Sequence, residues 1–206
     1  NPIFSQLLPP AVPETLTIIF LIACALTFGG RLLLAGRQIR HVRAHRDAVP
    51  AEFAERIALA SHQKAADYTI ARTRTGMLNT AIEAGVLLAF TLGGGLAWLH
   101  GFWSARLDGL SYGVSMIFSL TFISGLIDLP LSLYRQFVIE ARYGFNRMSL
   151  GLFFTDLAKQ TLLGVAIGTP VILAVLWLMG AMGERWWLWV WLFWSAFNLL
   201  LMFIYP

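Results

Sequence analysis

The sequence predicts an all-α polytopic membrane protein with five transmembrane helices and two helical cytoplasmic loops. Composition is the first reason: 58% of the 206 residues are hydrophobic and 13% are charged, against roughly 25% charged in soluble domains. Mean hydropathy is correspondingly high, +0.69. The second reason is length. Five apolar runs, Thr15–Leu34, Met77–Leu99, Tyr112–Leu133, Leu162–Met182 and Trp186–Tyr205, each come close to the about 20 residues that a helix needs to cross the hydrocarbon core. The third is period. None of these runs alternates polar and apolar residues as the strands of a membrane barrel do.

The first run has no Lys or Arg before it and carries Glu14 at its start. A signal peptide shows the reverse pattern, so Thr15–Leu34 reads as a retained span. The sequence opens on Asn1 rather than Met, and further residues upstream are expected. Cys24, the single cysteine, lies inside this span. It reads as a small buried apolar residue, with no disulfide partner in the chain. Arg31, near the basic end of the span, is placed to snorkel toward the interface.

The first long connection, 37–76, reads as helical. Val49-Pro50 opens a helix, with Pro50 suited to the first helical position and Glu52 to the first turn. Phe53, Ile57, Ala60, Ala65 and Tyr68 then recur near helical spacing. That pattern predicts an amphipathic helix lying on the membrane or packed on a neighbouring domain. In the second span, Gly93-Gly94-Gly95 permits close helix approach or a local kink. In the third, Pro130 leaves a backbone carbonyl without its helix donor and favours a kink.

In the second long connection, 134–161, Tyr134–Tyr143 reads as a helix ended by Gly144, which adopts the left-handed conformation at low cost. Asn146 or Ser149 caps the next helix. Trp186, Trp187, Trp189, Trp191 and Trp194 crowd the start of the fifth span, as an interfacial aromatic belt does. The chain stops at Ile204-Tyr205-Pro206, the end of an apolar helix, so a longer cytoplasmic portion is expected beyond it. Neither an internal repeat nor a low-complexity tract is visible.

The net charge of +4 follows membrane topology and predicts no nucleic-acid partner. Arg37, Arg40, Arg43, Arg46, Arg56, Lys64, Arg72 and Arg74 lie in the first long connection, and Arg135, Arg142, Arg147 and Lys159 in the second. The opposite side holds only Arg106 and Arg185. The positive-inside rule places both long connections in the cytoplasm and the amino terminus outside. Five spans then leave Pro206 on the cytoplasmic side.

Few residues are suited to chemistry. His41 and His45 are four apart and share one helix face, a spacing used by zinc sites, but a catalytic site needs a third ligand and a general base. The HExxH signature requires Glu directly after its first His. Here Val42 follows His41, Gln63 follows His62 and Gly101 follows His100. The histidines therefore read as part of a basic membrane-surface helix, and the chain offers no catalytic residue, metal ligand or cofactor site. Glu83 and Asp128 fall inside apolar spans. Burying an ionisable group there is expensive, which marks both as functional candidates: each either pairs with a basic residue or lines a water-filled chamber.

The segment FVIEARYGFNRMSLGLFFTDLAK (137–159) resembles the amino-terminal membrane region of the type I CAAX prenyl proteases, integral-membrane zinc metalloproteases. The family's loop carries an acidic-basic pair, then Gly-Phe-Asn, an aromatic run and Asp-x-x-Lys. The matching positions are Glu140 and Arg142, Gly144-Phe145-Asn146, Phe153-Phe154, and Asp156 with Lys159. The first connection is also similar, in Val49-Pro50, Lys64, Asp67 and Tyr68. The resemblance runs from about residue 15 to Pro206. Arg outnumbers Lys 13 to 2, which together with abundant Ala points to a bacterial inner membrane.

The resemblance implies that the family's HExxH and its third ligand, a Glu, lie beyond the fifth span, after Pro206. Zinc is then a cofactor of the complete protein and not of this chain, which alone is expected to be inactive. The spans would form a membrane chamber, and the loops would pack around a catalytic domain on the same or a separate polypeptide. Glu140, Arg142 and Asn146 would support or border the catalytic site. A membrane-inserted or lipidated peptide is the implied substrate. Two alternatives stand beside this reading. One is a non-catalytic binding or assembly module, motivated by the missing motif. The other is a transporter or channel, motivated by Glu83, Asp128 and the glycine run, although five spans without a repeat match common transporter designs poorly.

Overall fold

The computed structural model of the protein describes residues 11–204; Tyr205, the last residue of the expected fifth span, and Pro206 lie outside them. The described residues are helical, with no strand. Helix α1 covers Ala11–Ala44, α2 Leu59–Thr91, α3 Gly95–Ser104, α4 Gly109–Tyr134, α5 Leu150–Ala181 and α6 Trp186–Ile204. By length and composition four helices are able to cross a membrane, or five if the bent pair α2 and α3 forms one span.

The chain divides into two compact units. One holds the residues up to Gly94 together with Leu126–Arg147, and the other holds Gly95–Gly125 together with the residues from Met148 on. In the first unit α1 packs against α2. Both helices exceed 30 residues, about 50 Å at 1.5 Å per residue, which is longer than the roughly 30 Å hydrocarbon core. Their charged ends, 37–44 of α1 and 59–76 of α2, therefore extend past their apolar stretches.

Of three local expectations, the helix start at Val49-Pro50 is altered and the kink at the glycine run is met. Val49-Pro50 opens only a three-residue 3-10 turn, Ala51–Phe53. The long helix starts at Leu59, after Ala58 in an extended conformation (ψ 139°). Phe53 and Ile57, assigned from spacing to the helical stripe, therefore lie off α2 and are exposed. The second span breaks at the glycine run: Gly94 has φ +79°, and α2 and α3 meet at 52°. A Cβ on Gly93 would lie 2.7 Å from the Ala89 carbonyl oxygen, so the helix closes only on a glycine. Pro130, by contrast, sits within a helix that continues from Gly109 to Tyr143, as membrane helices tolerate when neighbouring groups re-satisfy the backbone.

That long helix changes period near its end, through a π-helical stretch, Arg135–Glu140, and a last α turn, Ala141–Tyr143. Gly144 ends it at φ +80°. Of the two candidate caps for the next helix, Ser149 is the one that forms, its side chain accepting from the Leu152 amide. In the second unit Trp103 Nε1 donates to Ser119 Oγ at 2.7 Å, and His100 Nδ1 and the Tyr112 hydroxyl are hydrogen-bonded at 2.8 Å.

Candidate functional site: a clamp between the two long connections

The site begins with an irregularity. Single π turns within α-helices are frequent at functional positions, and this one rotates Ile139 into the core (5% exposed) while turning Glu140 toward α2. Tyr68 on α2 donates its hydroxyl proton to Glu140 Oε1 at 2.7 Å. Its ring packs on both sides of the Gly144 turn, with centroids 5.3 Å from Tyr143 and 4.8 Å from Phe145. Ala66 and Ile70, two residues to either side of Tyr68, are buried.

The turn itself is closed by its own backbone. The Phe145 and Asn146 amides both donate to the Glu140 carbonyl, at 2.8 and 3.1 Å. Gln136 Nε2 donates to Asn146 Oδ1 at 3.0 Å. A Cβ on Gly144 would stand 3.8 Å from Lys64 Nζ, so the Lys64 ammonium lies over the left-handed turn. The Glu140 carboxylate and burial raise the Tyr68 pKa, the hydrogen bond being the largest cause, while nearby Arg72 opposes the shift.

A second set of contacts anchors the other end of the same α2 segment. Arg46, just past α1, forms a two-pronged pair with Asp67: Nε to Oδ1 at 2.7 Å and Nη2 to Oδ2 at 2.8 Å. This fork geometry is the strong form of a carboxylate contact. It holds the Asp67 carboxyl below its ordinary range and raises the Arg46 guanidinium, with desolvation opposing both shifts. Arg46 Nη1 and Gln63 Nε2 both donate to Asp47 Oδ1 at 2.9 Å. His62 Nε2 donates to the His45 carbonyl at 2.9 Å.

The residues singled out by resemblance thus separate into groups. Lys64, Asp67 and Tyr68 of the first connection and Glu140, Gly144, Phe145 and Asn146 of the second share one region of the first unit. Arg142 is exposed there and, among the described residues, forms no ion pair. Pro50 is exposed and caps the 3-10 turn. Asp156 and Lys159 lie on α5 in the second unit. Glu83 pairs with Arg31 at 3.5 Å and accepts from Asn79 Nδ2 at 2.6 Å, so Arg31 has a partner across the helix pair as well as a route to the interface. Asp128 is exposed and, among the described residues, has no ion-pair partner.

Arg46, Gln136 and Tyr143 were not marked as site residues by the sequence. Arg46 counted only toward the charge bias, because nothing local ties it to an aspartate 21 residues away. His45 and His62 use ring nitrogens on backbone carbonyls: His45 Nδ1 donates to the His41 carbonyl at 2.9 Å, as His62 Nε2 does to that of His45. Among the described residues no three His, Cys, Asp or Glu gather to hold a metal ion.

Comparison with known proteins agrees with this architecture. A family model described as CAAX prenyl protease N-terminal, five membrane helices, matches residues 38–206. A CAAX prenyl protease 1 homolog of Caenorhabditis elegans is 33% identical over 169 residues, covering 81% of this chain and 38% of that protein. A probable CAAX prenyl protease 1 of Schizosaccharomyces pombe is 29% identical over 189 residues, covering 85% and 40%. The crystal structure of S. mikatae Ste24p superimposes with a TM-score of 0.80 at 22% identity, over 89% of this chain and 44% of that one; at that identity the likeness is one of fold. The chain spans about two fifths of the length of these relatives.

Proposed function

This chain belongs to the CAAX prenyl protease N-terminal family, and from that premise we propose that it seats the catalytic domain of a membrane zinc endopeptidase. Zinc, the water it activates and the attack on a peptide carbonyl belong to residues outside this chain. The part of this chain is to hold two cytoplasmic connections as one platform and to supply the membrane chamber that admits a lipidated or membrane-inserted peptide. The observation that carries the reading is the Tyr68–Glu140 hydrogen bond within its aromatic cluster. It joins segments 72 residues apart, both drawn from the stretches that resemble the family's loops.

The charge bias supports an amino terminus outside and both long connections in the cytoplasm. The Arg excess supports a bacterial inner membrane. Asp156 and Lys159 on α5 also support the catalytic domain, and Asp128 lines the chamber, while Glu83 stands paired with Arg31.

The test is zinc-dependent cleavage of a prenylated peptide by the full protein in vesicles, comparing the parent with Tyr68→Phe and Glu140→Gln. Loss of cleavage at unchanged zinc content supports a platform role. Full activity in both variants overturns it, and absence of any zinc-dependent cleavage by the parent favours a non-catalytic assembly module.

A further inference from the structure

We infer that Arg40, Arg74 and Arg135 form one tier that binds the headgroups of acidic phospholipids. The tier follows from three tertiary contacts in the first unit. Arg31–Glu83 and Arg46–Asp67 set α1 antiparallel to α2. Nine residues on from Arg31 is Arg40, and nine back from Glu83 is Arg74. Counting the other way, six back from Arg46 is again Arg40, and six on from Asp67 is Thr73. Tyr68–Glu140 sets the third segment: five on from Tyr68 is Thr73, and five back from Glu140 is Arg135. Counted in residues, the three arginines therefore lie at similar heights, within about one helical turn.

All three are exposed, and among the described residues none forms an ion pair. The same unit pairs Arg31 with Glu83 and Arg46 with Asp67 and Asp47, so the three arginines of the tier are among the cations it leaves without a carboxylate partner. On the apolar side of the tier, Leu33, Leu34 and Leu78 are 72%, 65% and 53% exposed. Leucines offered outward, followed within two turns by guanidinium groups, match the succession of acyl chain and phosphate in a leaflet. Guanidinium presents a planar fork to phosphate oxygens, and juxtamembrane arginines attract acidic leaflets. The occupant is thus a lipid of the surrounding bilayer, and the inference requires only that the helices are embedded.

The full chain is reconstituted in phosphatidylcholine vesicles with and without one-fifth phosphatidylglycerol. Thermal melting and lipid retention by native mass spectrometry are the readouts. The parent retains phosphatidylglycerol selectively and melts higher in its presence. The triple variant R40Q/R74Q/R135Q loses that preference by about 100-fold, whereas R56Q/R147Q/R185Q, with the same change in net charge, keeps it. Equal loss in both triples, no preference in the parent, or the same stabilisation by inorganic phosphate overturns the proposal. Should the first triple fail to fold, R74Q alone decides: a loss of about fivefold supports the tier and no loss rejects it.

Discussion

The Tyr68 hydroxyl donates to Glu140 Oε1 at 2.7 Å, joining positions 72 residues apart. The bond ties the charged first turns of α2 to a π-helical stretch at the end of α4. Tyr68→Phe removes the bond and keeps the ring. It is expected to cost about 1 kcal/mol, read as a lower melting temperature in detergent. Tyr68→Ala also removes the contacts with Tyr143 and Phe145, and is expected to cost more; equal effects would show that the rings contribute nothing.

The same bond has a pH signature. The Tyr68 pKa is raised from 10.0 by its hydrogen bond to Glu140, with burial and charge adding to the shift. The neutral hydroxyl is the form the fold favours. Its stabilisation is therefore complete below the unfolded value and is lost as pH rises through the higher folded value. In an ultraviolet tyrosinate titration, Tyr68→Phe should remove a late-titrating component and leave the earlier ones in place.

Asp67 acts in the opposite direction. The Arg46 fork lowers its pKa from 3.8, so its contribution is present above that value and is lost as pH falls through the lower folded value. Melting temperature measured down an acid series should fall in this window for the parent. Asp67→Asn should flatten that part of the curve, and an unchanged acid limb would reject the assignment.

Gly144 sits at φ +80°, where a side chain costs roughly 1–2 kcal/mol. Gly144→Ala is expected to destabilise by about that amount. Gly151, inside α5 with open space at its Cβ position, supplies the contrast: Gly151→Ala should be neutral or stabilise by up to about 1 kcal/mol. Paired thermal melts test the difference.

The Arg31–Glu83 pair lies between the apolar stretches of α1 and α2. A double-mutant cycle with Arg31→Gln and Glu83→Gln should return a favourable coupling of about 1 kcal/mol or less, with Asn79 still holding one Glu83 oxygen. Zero coupling would mean that the two charges ignore each other.

Much of the fold was legible along the chain. The apolar runs, the stop at Gly144, the cap at Ser149 and the break near Gly94 all depend on composition or on neighbours within one helical turn. The start of α2 was less so. Pro50 and the spacing of Phe53 and Ile57 favoured an early helix. The contacts His62 to the His45 carbonyl and Gln63 to Asp47 instead anchor a helix that begins at Leu59. The π turn left no signal either, because it goes with the burial of Ile139 and the contact of Glu140 with Tyr68 on α2.

By itself the sequence determined that this is a helical membrane protein, where its chain turns, and which residues in its two long connections resemble a protease family. Only the tertiary structure decided that Tyr68 meets Glu140, that Arg46 meets Asp67 and that Arg31 meets Glu83. Hydropathy and capping act over a few residues, and so they are written locally. Partner choice depends on the sliding register of one packed helix against another, which no single segment encodes.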